Sequence, residues 1–267
     1  MNCKLTILLP VIDIDDLLSL AIESLKKQSF TDFKCFILTR KLTDNETQKL
    51  NSFISIDVRF IVHELKLGGI TFALNYGINI TKSKYVARMD ADDISHPLRL
   101  EKQINFLDEN LEYAVVGCRV KLIDKEGKEL IQSFKFFGED HEIRKALKYR
   151  MPLCHPALIF RTEILMENKG YLYGNSAEDH ELCIRIARNP NHKFKNLKEY
   201  LFSYRRHEDQ LTNIKFAKKA YCNISGFMFT EFMLTRNVTY LIGVFAYHPL
   251  LRKIRQFLKK LIEKRNN

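Results

Sequence analysis

The chain has 267 residues, 46% of them hydrophobic, enough to bury a sizeable core in one large α/β domain or in two joined halves. Lys and Arg number 43 against 32 acids, a formal charge of +11, so an anionic partner surface is expected: nucleic acid, acidic lipid or a phosphorylated substrate. Six cysteines (Cys3, Cys35, Cys118, Cys154, Cys183, Cys222) show no paired spacing, which argues against secretion and for a reducing compartment.

The apolar run at 5–12 is interrupted by Pro10 and followed by Asp13, Asp15 and Asp16, which suits a buried strand better than a signal peptide. Strand and helix patterns then alternate: a strand at 5–9, a helix at 17–28, a strand at 33–38, a polar helix from Asp44, a strand at 58–62 and a helix at 70–80. Gly68 and Gly69 precede that last helix, where free N–H groups and the helix dipole receive phosphate or ribose oxygens. The next strand ends in acids. This order implies a mostly parallel sheet with helices on both faces and right-handed crossovers. A helix at 98–110 and a strand at 114–118 follow. Residues 119–123, the turn Asp124-Lys125-Glu126-Gly127 and residues 130–136 then read as a hairpin, where a second, mixed part of the chain begins. It continues with a helix near 142–148, a strand at 155–161, a loop at 170–175 leading into a helix at 178–187, and a strand at 201–205.

Residues 214–234 are helical in pattern and rich in Phe and Met, and the apolar stretch 238–251 is too short to span a bilayer. From Arg252 onward Lys253, Arg255, Lys259, Lys260, Lys264 and Arg265 interleave with Ile254, Phe257, Leu258, Leu261 and Ile262. This spacing predicts a basic amphipathic helix that meets an anionic membrane surface. The expected division is therefore 1–118, 119–212 and a helical extension at 213–267.

Most of the chemistry lies in Tyr85-Val86-Ala87-Arg88-Met89-Asp90-Ala91-Asp92-Asp93. Three carboxylates within four residues repel unless a metal or a proton intervenes, and oxygen-only ligands select hard ions such as Mg²⁺ or Mn²⁺. At the carboxyl end of a parallel strand the natural guest is a metal-bound diphosphate. On spacing alone a turn followed by a helix cap explains the acids about as well. An EF-hand loop does not, because Ile94 and Ser95 stand where a ligand and a glycine are needed. Glu178-Asp179 opens a helix, where two acids either complement the dipole or do chemistry. Tyr204-Arg205-Arg206-His207 ends a strand with cations and a metal-binding side chain, or is a basic surface turn.

Taken in order, Leu5-Thr6-Ile7-Leu8-Leu9-Pro10-Val11, Ala21-Ile22-Glu23-Ser24-Leu25 with Gln28-Ser29-Phe30, Ala73-Leu74-Asn75-Tyr76-Gly77-Ile78, Ala87-Arg88-Met89-Asp90-Ala91-Asp92-Asp93, Cys154-His155-Pro156-Ala157, Ala177-Glu178-Asp179 and Tyr204-Arg205-Arg206-His207 resemble the family 2 glycosyltransferases of the GT-A fold. The likeness is to bacterial enzymes that build lipopolysaccharide, O-antigen or capsule, and it covers roughly residues 4–212. It implies an α/β GT-A nucleotide-sugar-binding fold and a metal-dependent, inverting transfer of a hexose from a nucleotide sugar, UDP-linked by expectation, to a lipid-linked surface glycan. The implied location is cytoplasmic, on the inner face of the cell membrane, with no nucleic acid bound beyond the donor nucleotide. By the same resemblance Asp92 binds Mn²⁺ or Mg²⁺ with His207 as a further ligand, Asp90 faces the ribose, and Asp179 is the catalytic base. Pro10, Asp13, Thr39, Arg40 and Asn75 belong to the donor side, His155 and Glu178 to the acceptor side.

The chain departs from the family pattern in two places. The second strand commonly ends in two aspartates, a glycine and a serine; here Thr39-Arg40-Lys41-Leu42 stand there, so uracil would rest on Thr39 and backbone groups, with Arg40 on phosphate. Ile12-Asp13 replaces an aromatic residue and an asparagine, with Asp13 a partial substitute. A non-catalytic relative that binds nucleotide, glycan or a partner enzyme is the alternative these departures raise. A nucleic-acid-binding protein lacks a motif, and a sugar nucleotidyltransferase lacks its glycine-rich N-terminal phosphate loop.

Overall fold

The first strand, β1 (Leu5–Val11), is buried on both faces, which is why it reads as an almost unbroken apolar run. The computed structural model describes residues 3–172, 176–206 and 214–248. In β1, Leu5, Ile7, Leu9 and Val11 point into one core and Leu8 into the other. The odd side chain, Thr6, is satisfied by Ser83 Oγ at 2.7 Å and by Thr81, whose hydroxyl donates to it at 2.6 Å. Helix α1 (Asp16–Lys26) packs Leu18, Ile22 and Leu25 on the first core, next to β2 (Phe33–Arg40) and Leu50 of α2 (Asp44–Ile54). Each such side chain is worth about 1.5–3 kcal/mol when fully buried.

After β3 (Phe60–Leu65), α3 (Ile70–Ile80) lies on the opposite face. A Cβ on Gly77 would stand 2.5 Å from Leu8 Cδ2, so glycine lets α3 sit close against β1. Next come β4 (Tyr85–Arg88), the two-residue β5 (Ile94–Ser95), α4 (Arg99–Glu109) and the long β6 (Tyr113–Ile123). Then follow α5 (Asp140–Leu147), β7 (Ile159–Arg161), α6 (Thr162–Glu167), α7 (Glu178–Ile186) and β8 (Lys193–Arg205). The eight strands form one sheet in the order β3-β2-β1-β4-β7-β6-β8-β5. Only β7 and β5 run against the others, as the expectation of a mostly parallel sheet requires. Arg161, 5% exposed, donates to the carbonyls of Leu107, Asn110 and Tyr113, so it satisfies the end of α4 where β7 crosses it.

Four local expectations need correction. The third strand begins at Phe60 instead of 58, because Asp57 and Arg59 pair at 2.6 Å in the preceding turn and leave Val58 exposed. The strand expected at 155–161 is a 3-10 turn at His155–Ala157 and only then β7, since Pro156 has no N–H to give a ladder. Residues 119–123 form no extended ladder with 130–136, only an antiparallel bridge at Ile123 and Glu129 and one bond from Leu130. The turn itself forms, with Lys128 N on Asp124 Oδ1 at 2.8 Å and Leu130 N on the Leu122 carbonyl at 2.7 Å, but the chain then leaves. β6 continues past residue 118, with register shifts on either side of Arg119, and pairs with β8 in parallel, so β8 begins at Lys193, well before the strand expected from 201.

The extension forms α8 (Ile214–Thr235) and α9 (Thr239–Tyr247). Ile224, Phe227 and Met228 of α8 enter the second core, while the fully buried Glu231 pairs with Arg188 at the end of α7. Gly243 of α9 lies so close to the Lys148 carbonyl that a Cβ would stand 2.3 Å from it. Among the described residues no helix is long and apolar enough to cross a membrane. The basic segment expected to form an amphipathic helix, 252–265, lies outside the described residues.

Candidate active site

Because β1 to β4 are parallel, their carboxyl ends share one edge of the sheet. Pro10 and Val11 stand in register with Leu38 and Thr39, and Leu8 with Arg88, which brings Pro10, Asp13, Thr39 and Arg40 beside the acids after β4. Thr39 is 2% exposed and its Oγ1 has no hydrogen-bond partner, a polar atom at the place expected to receive a base. Arg40 is tied to Glu46 at 2.5 Å, and Asp13 is close enough to act on its charge. The same Glu46 closes the capping box of α2 with Thr43, and the Arg40 contact holds its carboxyl down to about 2. The expected phosphate ligand therefore has a carboxylate partner already. Asn75 has its amide bound on both sides by the backbone of Tyr171, at 2.7 and 2.8 Å.

Oxygens of Asp90, Asp92 and Asp93 all lie within 4.8 Å of one another. Arg88 lies beneath them, its side chain 3% exposed and paired with Asp90, whose own side chain keeps 32% of its surface open to a ligand. Burial opposes the charge on Arg88, but Asp90 more than offsets it and holds the guanidinium above its ordinary range. Burial raises Asp90 despite Arg88. Asp93 is wholly buried: Oδ1 accepts the Arg205 N–H at 2.8 Å, Oδ2 meets no donor among the described residues, and burial together with Asp90 and Asp92 pushes its pKa well up. Arg205 ties this loop down, donating through Nε to the Asp92 carbonyl at 2.7 Å and through its guanidinium to the carbonyls of Asp124 and Lys125. A crowded oxygen-only set with an orphaned buried carboxylate oxygen fits a hard divalent cation, which Asp90, Asp92 and Asp93 would hold. His207, expected as a further ligand, lies outside the described residues.

Facing this cluster is the start of α7. Ala177 takes a left-handed conformation, φ +64°, and turns the chain so that Glu178 and Asp179 open the helix. Asp179 Oδ1 accepts the His180 N–H at 2.8 Å, and the buried His180 ring donates to the Leu147 carbonyl at 2.6 Å. Burial, then the neighbouring Asp179, pushes Glu178 up to about 7. Asp179 is raised by burial as well, and it feels both Arg88 and Asp90, which places the pair within electrostatic reach of the acid cluster. His155 Nε2 stands 2.7 Å from the Tyr171 hydroxyl. Burial, helped by Arg88, holds that imidazole well below its usual range and so neutral.

The loop between these groups is gripped from three helices. Asn75 of α3 holds Tyr171, and Arg185 of α7, paired with Glu181, donates to the carbonyls of Gly170 and Asn168. Asn223 of α8 donates to the Ser176 carbonyl at 3.3 Å. Gly170 has φ +61°, and a Cβ there would stand 2.3 Å from Asn75 Oδ1, so glycine is required twice over. The fold thus brings Asp90, Asp92, Glu178, Asp179 and His155 around Arg88. Sequence reasoning counted Asp93 only as a member of the acid cluster and gave no role to Arg88 or Tyr171. A lone arginine inside the apolar strand Tyr85–Arg88 was a usable signal; Tyr171, positioned by a residue 96 places away, left none.

This geometry can be set beside known proteins. The model of the glycosyl transferase family 2 matches residues 6–167. The O-antigen biosynthesis glycosyltransferase WbnJ of Escherichia coli is 31% identical over 246 residues, 91% of this chain and 94% of that protein. The amylovoran biosynthesis glycosyltransferase AmsE of Erwinia amylovora is 30% identical over 203 residues, 70% of this chain and 74% of that protein. Among solved structures, S. aureus TarS in complex with UDP-GlcNAc matches with a TM-score of 0.67 at 19% identity, over 86% of this chain and 66% of that one. The mannosyltransferase PcManGT from Pyrobaculum calidifontis, in complex with GDP-Man and Mn²⁺, matches with a TM-score of 0.61 at 12% identity, over 92% and 69%. Fold and site define a glycosyltransferase of the GT-A type. The chain belongs to glycosyl transferase family 2.

Proposed function

We propose that this glycosyltransferase moves a hexose from UDP to a lipid-linked surface glycan, with inversion and with a divalent cation, at the inner face of the cell membrane. The observation that carries the reading is the meeting of Asp90, Asp92 and Asp93 with Glu178 and Asp179 around one buried arginine, Arg88. Asp179 accepts the proton of the acceptor hydroxyl. As that proton leaves, the acceptor oxygen bonds to the anomeric carbon from the face opposite the diphosphate, the bond from that carbon to the diphosphate oxygen breaks, and UDP departs. Asp90, oriented by Arg88, faces the ribose; Thr39 and the backbone beside Pro10 and Asp13 face the base. Glu178 and neutral His155, held by Tyr171, line the acceptor side. A divalent cation, when bound, would be held through Asp92 and would supply charge stabilisation for the diphosphate. Residues 1–118 take the donor and 119–212 the acceptor in this reading, with 213–267 as the membrane-facing extension.

The relatives' printed roles in O-antigen and amylovoran biosynthesis, and the UDP-GlcNAc complex of TarS, support the substrate class. The test is incubation with a panel of nucleotide sugars and Mn²⁺, scoring hydrolysis and transfer by mass. Turnover of a UDP-hexose, lost in excess chelator and in Asp92→Asn with the fold intact, is the expected result. Binding of nucleotide without turnover of any donor supports the non-catalytic alternative.

A further inference from the structure

Beside the acids lies a cavity of about 400 Å³ that no step above uses, within the size range of small-molecule sites. Its walls come from β6, β8, the segment 133–137 and the segment 150–154. Cys154 in its lining directly precedes His155, and Phe134 packs on Tyr204, ring centroids 5.8 Å apart, one residue before the Arg205 that binds Asp93. The cavity therefore opens alongside the acceptor side of the site.

The lining contains three cations, Arg119, Lys135 and Arg150, and no acid. None forms an ion pair within 4.0 Å among the described residues, although Lys135 is near enough to Glu142 to act on its charge; each lies over an aromatic ring. Arg119 stands 4.4 Å from the Phe136 ring and 5.4 Å from Tyr200, and its buried Nε has no hydrogen-bond partner. Lys135 and Arg150 flank Phe137. Asn196 of β8 also lines the cavity, 5% exposed, with its Oδ1 turned toward Gly117. An unpaired guanidinium fork beside aromatic faces is suited to a planar or tetrahedral anion carried on a ring with apolar C–H faces.

We propose that this cavity binds an anionic group of the acceptor glycan, phosphate or carboxylate, with the guanidinium of Arg119 on the anion and a pyranose ring against Phe136 or Tyr200. This deepens the transferase reading and rests on it for the word acceptor. Acidic acceptors reach the anomeric carbon oriented by their charge, and neutral glycans lose that anchor.

The test titrates the full chain, by NMR, with methyl glucuronide, methyl glucoside 6-phosphate and neutral methyl glucoside. We expect the acidic probes to bind at least about tenfold more tightly than the neutral one. Arg119→Gln combined with Arg150→Gln should remove that preference, and the exposed Lys135→Gln, with little structural burden, should reduce it. Thermal melts of each variant confirm that the chain is folded. The better-bound acidic probe tells phosphate from carboxylate as the natural group. Equal binding of acidic and neutral probes, or a preference that survives in the arginine double variant, overturns the proposal. Donor hydrolysis by the wild type, measured in parallel, reports on the transferase reading separately: hydrolysis without charge preference sinks only the cavity assignment, and charge preference without hydrolysis sinks only the enzyme.

Discussion

Asp93 and Glu178 show how far this site departs from what its carboxylates would do in water. A buried carboxylate oxygen left without a donor costs about 1–3 kcal/mol or more, and Asp93 Oδ2 is in that position. For Glu178 the consequence is measurable. Its pKa is raised from 4.5 to about 7, so the folded chain holds that proton more tightly than the unfolded one. Stability from this group is complete below about pH 4.5 and is lost as pH rises to about 7. Glu178→Gln should therefore be more stable than wild type at pH 8, by on the order of 1–3 kcal/mol, with the difference vanishing near pH 4.5. Thermal melts across that range check this, and an equal offset at both ends would contradict it. At this scale the acids were legible in the sequence because they sit in short ordered runs. Arg88 and Tyr171 gain their roles only from partners in other elements, which local spacing does not record.

At the level of elements, the clamp on the 168–171 turn joins α3 and α7 to the site. Asn75→Ala removes two hydrogen bonds and leaves the backbone N–H and carbonyl of Tyr171 with their side-chain partner gone. We expect a loss of about 2 kcal/mol, or roughly 4–8 °C in Tm, with donor affinity within about twofold of wild type. A tenfold loss of donor affinity at unchanged Tm would return Asn75 to the donor site. Helices were read within a residue or two where apolar spacing was strong, as in α3, which spans Ile70–Ile80 as expected. The hairpin was misread because a turn with Asp124 and Gly127 does form, and the sequence does not record that β6 has a distant parallel partner. That partner, β8, was half hidden: its first eight residues, 193–200, are mostly polar, with only Phe194 and Asn196 buried among them.

Across the whole molecule, the parallel half of the sheet and its acidic edge follow from alternation of strands and helices, and they were legible. The reversed β7 and β5 were not, since strand direction in a mixed sheet depends on contacts far apart in sequence. The extension is bound to the domain by Glu231 and Gly243, yet Val238 at the start of α9, and Ile242 and Phe245 within it, are exposed just before the basic segment 252–265. If that surface meets anionic lipid, each Lys or Arg near it adds about 1 kcal/mol. Removing all residues after Leu251 should then sharply reduce pelleting with anionic vesicles and abolish its salt sensitivity. Unchanged pelleting by the truncated chain would rule out the tail as the membrane contact.

The central claim is that the acid pair opening α7 does chemistry on the edge prepared by β4, and Asp179 decides it. Asparagine keeps the side-chain oxygen that accepts the His180 N–H, so a purely structural role at the helix start predicts nearly unchanged transfer. A lost general base predicts a fall of about 10²- to 10⁴-fold. The measurement is the sugar-transfer rate and donor affinity of Asp179→Asn beside Glu178→Gln. We expect Asp179→Asn to lose transfer by that factor with donor affinity near normal, and Glu178→Gln to be milder; near-wild-type transfer by Asp179→Asn would contradict the account.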